Sequence, residues 1–417
     1  MRAKTIKKVS RLVVKFGGSS LSSPRKISKA VGAVRREIDE GAQVAVVVSA
    51  LGRTTDDLLE TLSVASRSRS SDHVDDVLSM GERTSARVFH TALSACGFGS
   101  KYFDPHDDDW PIVTDDNFGD ATPILPICQR RIQRHVLPCL EVGIVPVLPG
   151  FVGKATDGRI TTMGRGGSDI TTFLLARCLP AKESILVTDH NGLMTADPKL
   201  VKEAHPISQI SVRELMGLAD SGTKFLKTKA LRFLDDSFKV RITSNLASSL
   251  RSGGTVIKGS FPEAITAELE TPGPAAMVTI TGRDISQNPE ILKEILSKVT
   301  KERTEILGLS ANSNSLIIYV SWERRRRLVN EIHRCLLAHK EMTAMAVRDN
   351  LSLITIAGVG FVETPGLVAS VSEPLKEASL NIYGIFTIAS SIVVAVDWKH
   401  RGEALRLVKK SLRRFAL

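Results

Sequence analysis

The run AQVAVVVSALG, residues 42–52, constrains this chain more than any other part of it. Its apolar residues follow one another without polar alternation, so the strand they form must be covered on both faces. Such a strand belongs in the middle of a three-layer α/β domain with a mostly parallel sheet. The surrounding sequence has the same character. RLVVKFGG (11–18) is an apolar run stopped by two glycines, and similar strands are expected at GIVPVLPGFV (143–152) and SILVTD (184–189). Between the first two runs, SSPRKISKAVGAVRREIDEG opens with Ser before Pro and closes on Gly41. It carries Ile27, Val31, Val34 and Ile38 along one face, which is the pattern of a capped helix.

Ligands bind sheets of this kind in the loops at the carboxyl ends of the strands. Lys15-Phe16-Gly17-Gly18-Ser19-Ser20, Ser49-Ala50-Leu51-Gly52 and Thr188-Asp189 all fall at such ends. A further segment, ITTMGRGGSDIT (160–171), sets Gly164, Gly166 and Gly167 around Arg165 and then adds Ser168 and Asp169. Glycines so close together imply a sharp turn or a close approach to something bulky.

Near residue 270 the texture changes. LETPGPAA reads as a linker, and beyond it lie two βαββα units of about 70 residues each, the plan of paired α+β modules. The first can be counted as six elements ending with TAMAVR (343–348), whereas the second lacks a final strand. Proteins avoid an open sheet edge, so EAITAEL (263–269) is expected to pair with the sheet containing Leu351–Ala357. That pairing would make the first module an insertion within the second. The expected organisation is a catalytic domain at 1–262, a linker and donated strand at 263–274, and modules at 275–348 and 349–417.

The net charge of +11 is spread along the chain, and aromatic residues are only 5%, which argues against a nucleic-acid binder built on stacking. The densest basic run, RRRR at 324–327, leads a helix on which Leu328, Val329, Ile332, Leu336 and Leu337 are expected to form one apolar face. No apolar stretch approaches the roughly 18 residues of a membrane span, and the basic amino-terminal segment lacks the long apolar core of a signal peptide. Five scattered cysteines without a CxxC pair suggest a reduced, cytoplasmic protein, and the lack of a long apolar stretch suggests no membrane partner. GLADSGTK (217–224) puts Thr before Lys and so fails as a phosphate loop. GVGFVETPG (358–366) lacks the third glycine of a dinucleotide loop, and HDDDW (106–110) reads as a solvated acidic loop rather than a metal cluster.

The segments VVKFGGSS (13–20), VVVSALGRTTDDL (46–58), LSMGERTSA (78–86), IVTDDNFGDA (112–121), GFVGKATDGRITTMGRGGSD (150–169) and VTDHNGLMTADPKL (187–200) together resemble the aspartate kinases. These belong to the amino-acid kinase superfamily and carry two carboxyl-terminal ACT modules, so the resemblance covers nearly the whole chain. It implies phosphorylation of the side-chain carboxylate of L-aspartate by ATP with its bound Mg2+, giving 4-phospho-L-aspartate for the lysine, threonine and methionine pathway. It also implies amino-acid feedback and a homo-oligomer formed through the ACT-like modules. A free carboxylate, with a pKa of about 4, is already ionised at neutral pH and needs no general base. Catalysis is then positioning and charge neutralisation.

By this resemblance Lys15 would contact the transferred phosphoryl group, with Gly17, Gly18 and Ser19 donating from the backbone. Asp169 would orient the lysines. Arg165 would fork onto a substrate carboxylate, a geometry that favours Arg over Lys. Glu82 would bind the ammonium, and Ser49, Thr55 and Ser168 would complete the pocket. Thr188, Asp189, Met194, Lys199 and Lys224 fall where the family holds the nucleotide. The chain departs from its pattern at four positions: Met194 replaces a usual tyrosine, Lys227-Thr228 a usual His-Pro, and Lys199 a common arginine. In the first module, Asn312 and Asn314 of LGLSANSNSLIIYV (307–320) could hydrogen-bond an amino-acid effector. Glutamate 5-kinase, N-acetylglutamate kinase, uridylate kinase and a non-catalytic amino-acid sensor are the alternatives. The KFGGSS opening, the GER segment and the tandem repeats favour aspartate, while Lys15, Asp169 and Lys224 argue against a sensor.

Overall fold

The structure, a computed structural model, describes residues 10–65, 71–219, 226, 228–244, 249–260, 265–322, 325–358, 366–388 and 391–413. The chain divides into two units, Met1–Phe261 and Pro262–Leu417.

The first unit begins with β1 (Arg11–Phe16), α1 (Pro24–Asp39) and β2 (Gln43–Val48). Ser23 caps α1 by accepting the Lys26 N–H, Pro24 takes the first turn, and the chain leaves through Gly41 at φ +84°. Ala30, Val31, Ala33 and Val34 of this helix are buried in one core with Val44, Val46 and Val48 of β2. Then follow α2 (Thr54–Ala65), α3 (Asp72–Ala95), β3 (Ser100–Tyr102), β4 (Val113–Thr114), α4 (Leu125–Arg131), α5 (Leu137–Glu141), β5 (Val145–Pro149), β6 (Val152–Ala155) and β7 (Ile160–Thr162). The unit closes with α6 (Gly167–Cys178), β8 (Glu183–Thr188), β9 (Gln209–Ser211), α7 (Val212–Ala219), α8 (Thr228–Leu231), β10 (Lys239–Ser244) and β11 (Thr255–Lys258).

Eight of these strands form one sheet in the order β3-β5-β2-β1-β8-β10-β11-β9, parallel throughout except for the β10–β11 pair. A separate sheet has the order β4-β6-β7. Residues 143–152, expected as one strand, are therefore divided between two sheets. The chain turns between β5 and β6 at Gly150-Phe151, where Phe151 takes φ +69° and a Cβ on Gly150 would lie 2.7 Å from that of Ser168. The close approach of α6 at this point leaves no room for the strand to run on straight.

The second unit contains β12 (Thr266–Leu269), β13 (Ala275–Gly282), α9 (Pro289–Lys301), β14 (Ile306–Asn312), β15 (Ser315–Ser321), α10 (Arg325–Ala338), β16 (Met342–Ala357), α11 (Leu367–Glu377), β17 (Ile382–Ile388), β18 (Ser391–Asp397) and α12 (Arg401–Leu412). Its antiparallel sheet runs β14-β15-β13-β16-β18-β17, and β12 pairs with β16 as Thr266↔Ala357 through Leu269↔Ile354. Residues 343–348, expected to end the first module, and Leu351–Ala357, expected in the sheet of the second, are one continuous β16. Its first part pairs with β13 and its second with β18, with Asn350 at φ +55° between them. One ladder thus joins both repeats, with a core under each: Ile291, Ile295, Leu328 and Ile332 in the first, Ala267, Val371, Leu375 and Val408 in the second. The apolar face expected on α10 is narrower than the sequence implied. Leu328, Ile332 and Cys335 are buried, while Leu337 is 72% exposed, because the helix turns it away from the sheet.

Candidate active site

The central strand β1 pairs in parallel with β2 on one side and β8 on the other, so Lys15, Ser49 and Thr188 arrive at one sheet edge. Beyond Phe16 the chain makes a short 3-10 turn, Gly18–Leu21. A Cβ on Gly18 would lie 2.8 Å from the Ala50 carbonyl oxygen and 2.9 Å from that of Gly52. Glycine is required here because two loops meet backbone to backbone. The Gly17 N–H donates to the Val187 carbonyl at 3.3 Å, so this donor is engaged within the fold rather than open to a phosphate. Ser19 is exposed, and its carbonyl accepts from Lys26 Nζ at 2.7 Å.

Opposite this edge, α6 begins at Gly166, whose φ of +88° follows Gly164 at +69°. Eleven of the twelve residues of α6 are buried, which fixes its first turn rigidly. That turn brings Asp169 Oδ1 within 2.9 Å of Lys15 Nζ and lets Ser168 Oγ accept from Ser49 Oγ at 3.0 Å. Arg165, at the tip of the glycine loop, is exposed and makes no ion pair with any described residue.

Glu82 lies on α3 and is only 4% exposed. Gly81 lets α3 close on the second loop, since a Cβ there would stand 3.0 Å from the Ala50 methyl. Burial pushes the Glu82 carboxyl up to about 7, against the opposing pull of backbone hydrogen bonds at Ala50 and at Glu82 itself, the Thr55 hydroxyl and the charge of Lys15. Its Oε2 is buried without a hydrogen-bond partner among the described residues. Lys15, Ser49, Thr55, Glu82, Ser168 and Asp169 are therefore connected through direct contacts or shared electrostatics.

The nucleotide-side residues are not gathered in the same way. The Thr188 hydroxyl serves its own turn, donating to the His190 carbonyl at 2.8 Å and accepting from the His190 N–H at 3.2 Å. Asp189 and Lys199 are exposed, and half-buried Met194 makes an isolated bridge to Pro206. Lys224 and Lys227 lie outside the described residues. In the second unit, the Asn312 side-chain oxygen accepts from the Asn314 N–H and the Ser315 hydroxyl, both at 3.0 Å, so it closes the β14–β15 hairpin. Of the HDDDW loop, His106 faces Asp104 and Arg83, Asp109 pairs with Lys101, and Trp110 is buried.

Sequence reasoning passed over Asp75, Thr162, Asp120 and Lys229, which brace the loops beside Arg165. Lys229 Nζ donates to Asp120 Oδ1 at 2.6 Å and to the Asp120 carbonyl at 2.7 Å. Asp75 could have been noticed, because it stands two helical turns before Glu82 on the same face of α3.

A family model described as the amino acid kinase family matches residues 10–244. An aspartokinase of Geobacillus stearothermophilus is 29% identical over 401 residues, covering 94% of this chain and 95% of its own. Among solved structures, the aspartate kinase of Synechocystis aligns with a TM-score of 0.77 at 23% identity, covering 97% of this chain and 69% of that one. Aspartokinase III of E. coli, solved with aspartate and ADP, aligns with a TM-score of 0.55 at 21% identity, covering 97% of this chain and 100% of that one. Among the described residues no helix is long and apolar enough to cross a membrane.

Proposed function

The chain belongs to the amino acid kinase family, and we propose that it transfers the terminal phosphoryl group of Mg-ATP to the side-chain carboxylate of L-aspartate. The observation that carries this reading is Glu82, whose buried Oε2 lacks a partner and whose carboxyl is held near neutrality by burial. A buried acceptor left open beside a cationic lysine suits the ammonium of a free amino acid. An acetylated amine or a nucleotide offers no cation to that oxygen. Arg165, exposed and unpaired among the described residues, is free to take a carboxylate in two-pronged fashion.

In the reaction a substrate carboxylate oxygen attacks the terminal phosphorus. The bond to the bridging oxygen breaks, and ADP leaves with the electron pair. No proton has to move, so the protein supplies position and positive charge. Lys15, held at 2.9 Å from Asp169, stands at the strand end where that charge is needed. The amino terminus of α6 has no side-chain cap, which fits an anion nearby. Thr188, Asp189, Met194, Lys199 and Lys224 would hold the nucleotide, and magnesium, when bound, would neutralise phosphate charge.

The relatives named above carry the same assignment: one is an aspartokinase, and another was solved with aspartate and ADP. The antiparallel second unit, read as two ACT-like modules at 275–348 and 349–417, would sense an amino-acid effector and join protomers into a homo-oligomer. The test is ADP release measured with aspartate, glutamate, N-acetylglutamate and UMP, with hydroxylamine trapping of the acyl phosphate. Aspartyl hydroxamate is expected. Turnover of another acceptor with no aspartyl hydroxamate would overturn the assignment.

A further inference from the structure

We propose that Asp75 is a positioning residue that sets the spacing between Glu82 and Arg165, and with it the distance between the two charged ends of the amino-acid site. The inference rests on the function proposed above and adds a residue to that site.

Asp75 lies in the first turn of α3 and is completely buried, at 0% exposure. Its Oδ2 accepts two backbone N–H groups from different segments, Thr162 at 2.7 Å and Gly119 at 2.9 Å. Its Oδ1 accepts the Thr162 hydroxyl at 2.9 Å. Thr162 ends β7, immediately before Met163-Gly164-Arg165. Gly119 precedes Asp120, whose Oδ1 would stand 2.6 Å from a Cβ on Gly164 and is gripped by Lys229. One carboxylate therefore ties the helix that carries Glu82 to both segments that flank the Arg165 loop.

Packing alone does not call for a carboxylate at this place. No described cation lies within ion-pair distance of it, and burial raises its pKa against the pull of these hydrogen bonds. A buried unpaired carboxylate is costly unless several donors need it. An asparagine could keep its oxygen on the two backbone N–H groups and donate its NH2 to the rotatable Thr162 hydroxyl, whereas an apolar side chain would leave both buried N–H groups unmet. Two backbone N–H groups from different segments need a buried acceptor, and Asp75 supplies one where the two halves of the amino-acid site join.

The test uses the full chain and compares wild type with Asp75→Ala and Thr162→Val, the first removing the shared acceptor and the second only the hydroxyl. Steady-state constants for aspartate and ATP are measured beside ADP affinity by calorimetry and the melting temperature. Asp75→Ala should lower kcat/KM for aspartate about tenfold to a hundredfold, and Thr162→Val about threefold to tenfold, with ADP affinity changed less than about twofold. Aspartate kinetics unchanged in both variants would overturn the proposal. So would a fall in melting temperature with equal losses for aspartate and ATP, the mark of a mere structural staple. A wild-type protein that ignores aspartate but turns over another acceptor would sink the function reading, and this inference with it. An active wild type beside indifferent variants would sink only the inference.

Discussion

Lys15 Nζ and Asp169 Oδ1 stand 2.9 Å apart, with side-chain exposures of only 14% and 12%. One residue comes near the end of a central strand and the other in the first turn of a buried helix, so the pair fixes a cation against the edge where strand loops converge. Asp169 restrains the lysine without neutralising its reach, since an ammonium has three donors and one carboxylate oxygen can engage at most one of them.

Lys15→Ala should therefore act on turnover. Charge felt mainly in the transition state is worth roughly a hundredfold to a thousandfold in kcat, while the aspartate KM changes little. The variant also strands Asp169, so Lys15→Ala/Asp169→Asn should melt higher than Lys15→Ala alone while remaining inactive. Steady-state kinetics and thermal melts of the three proteins check both statements. A kcat within about threefold of wild type in Lys15→Ala would exclude the role.

In its proposed role Glu82 should make aspartate binding depend on pH. Its folded carboxyl lies at about 7 instead of the ordinary 4.5, chiefly through burial. Below that value it is protonated and loses its attraction for the ammonium, so the aspartate KM should rise as pH falls from 8 to 6. Glu82→Gln should have a high KM that does not vary over this range. Stability without substrate runs the other way. The native state holds this proton up to pH about 7 and the unfolded chain only to about 4.5, so unfolding free energy falls as pH rises between them. Full ionisation removes on the order of 3 kcal/mol, and melts of wild type and Glu82→Gln from pH 5 to 8 should converge at the acid end.

Arg165→Lys should raise the aspartate KM by roughly tenfold or more, because a point charge cannot reproduce a two-pronged bond to a carboxylate. The ATP KM should stay within about twofold. Exposed Arg165 is unpaired among the described residues, so the melting temperature should not change. An unaltered aspartate KM and kcat in this variant refutes the clamp.

The hairpin asparagines should separate structure from sensing. Asn312→Ala removes the acceptor for Asn314 N–H and the Ser315 hydroxyl and should cost about 1 kcal/mol of stability. Asn314→Ala keeps that turn intact. If this hairpin senses an effector, calorimetry with lysine and threonine should show weaker binding to Asn314→Ala at an unchanged melting temperature. Effector affinity equal to wild type in both variants would place sensing elsewhere.

Local pattern in the sequence determined the three-layer first unit and the tandem repeat. The unbroken apolar run Val44–Val48 in β2 has no stable place except between two layers, and the Ser23-Pro24 start and Gly41 exit of α1 can be read from rotamer and φ preferences alone. Gly164 and Gly166 were marked in the same way, because only glycine takes their left-handed conformations without strain. Tertiary structure decided what depends on partners distant in the chain. The near-neutral Glu82 follows from how deeply neighbouring elements bury it, a property no residue carries in isolation. Fusion of two expected strands into β16 depended on β13 and β18 pairing with its two halves, on either side of an Asn350 turned to φ +55°. The three hydrogen bonds of Asp75 join a helix start to loops far along the chain, and hydrophobic periodicity says nothing about a buried carboxylate whose donors are backbone N–H groups.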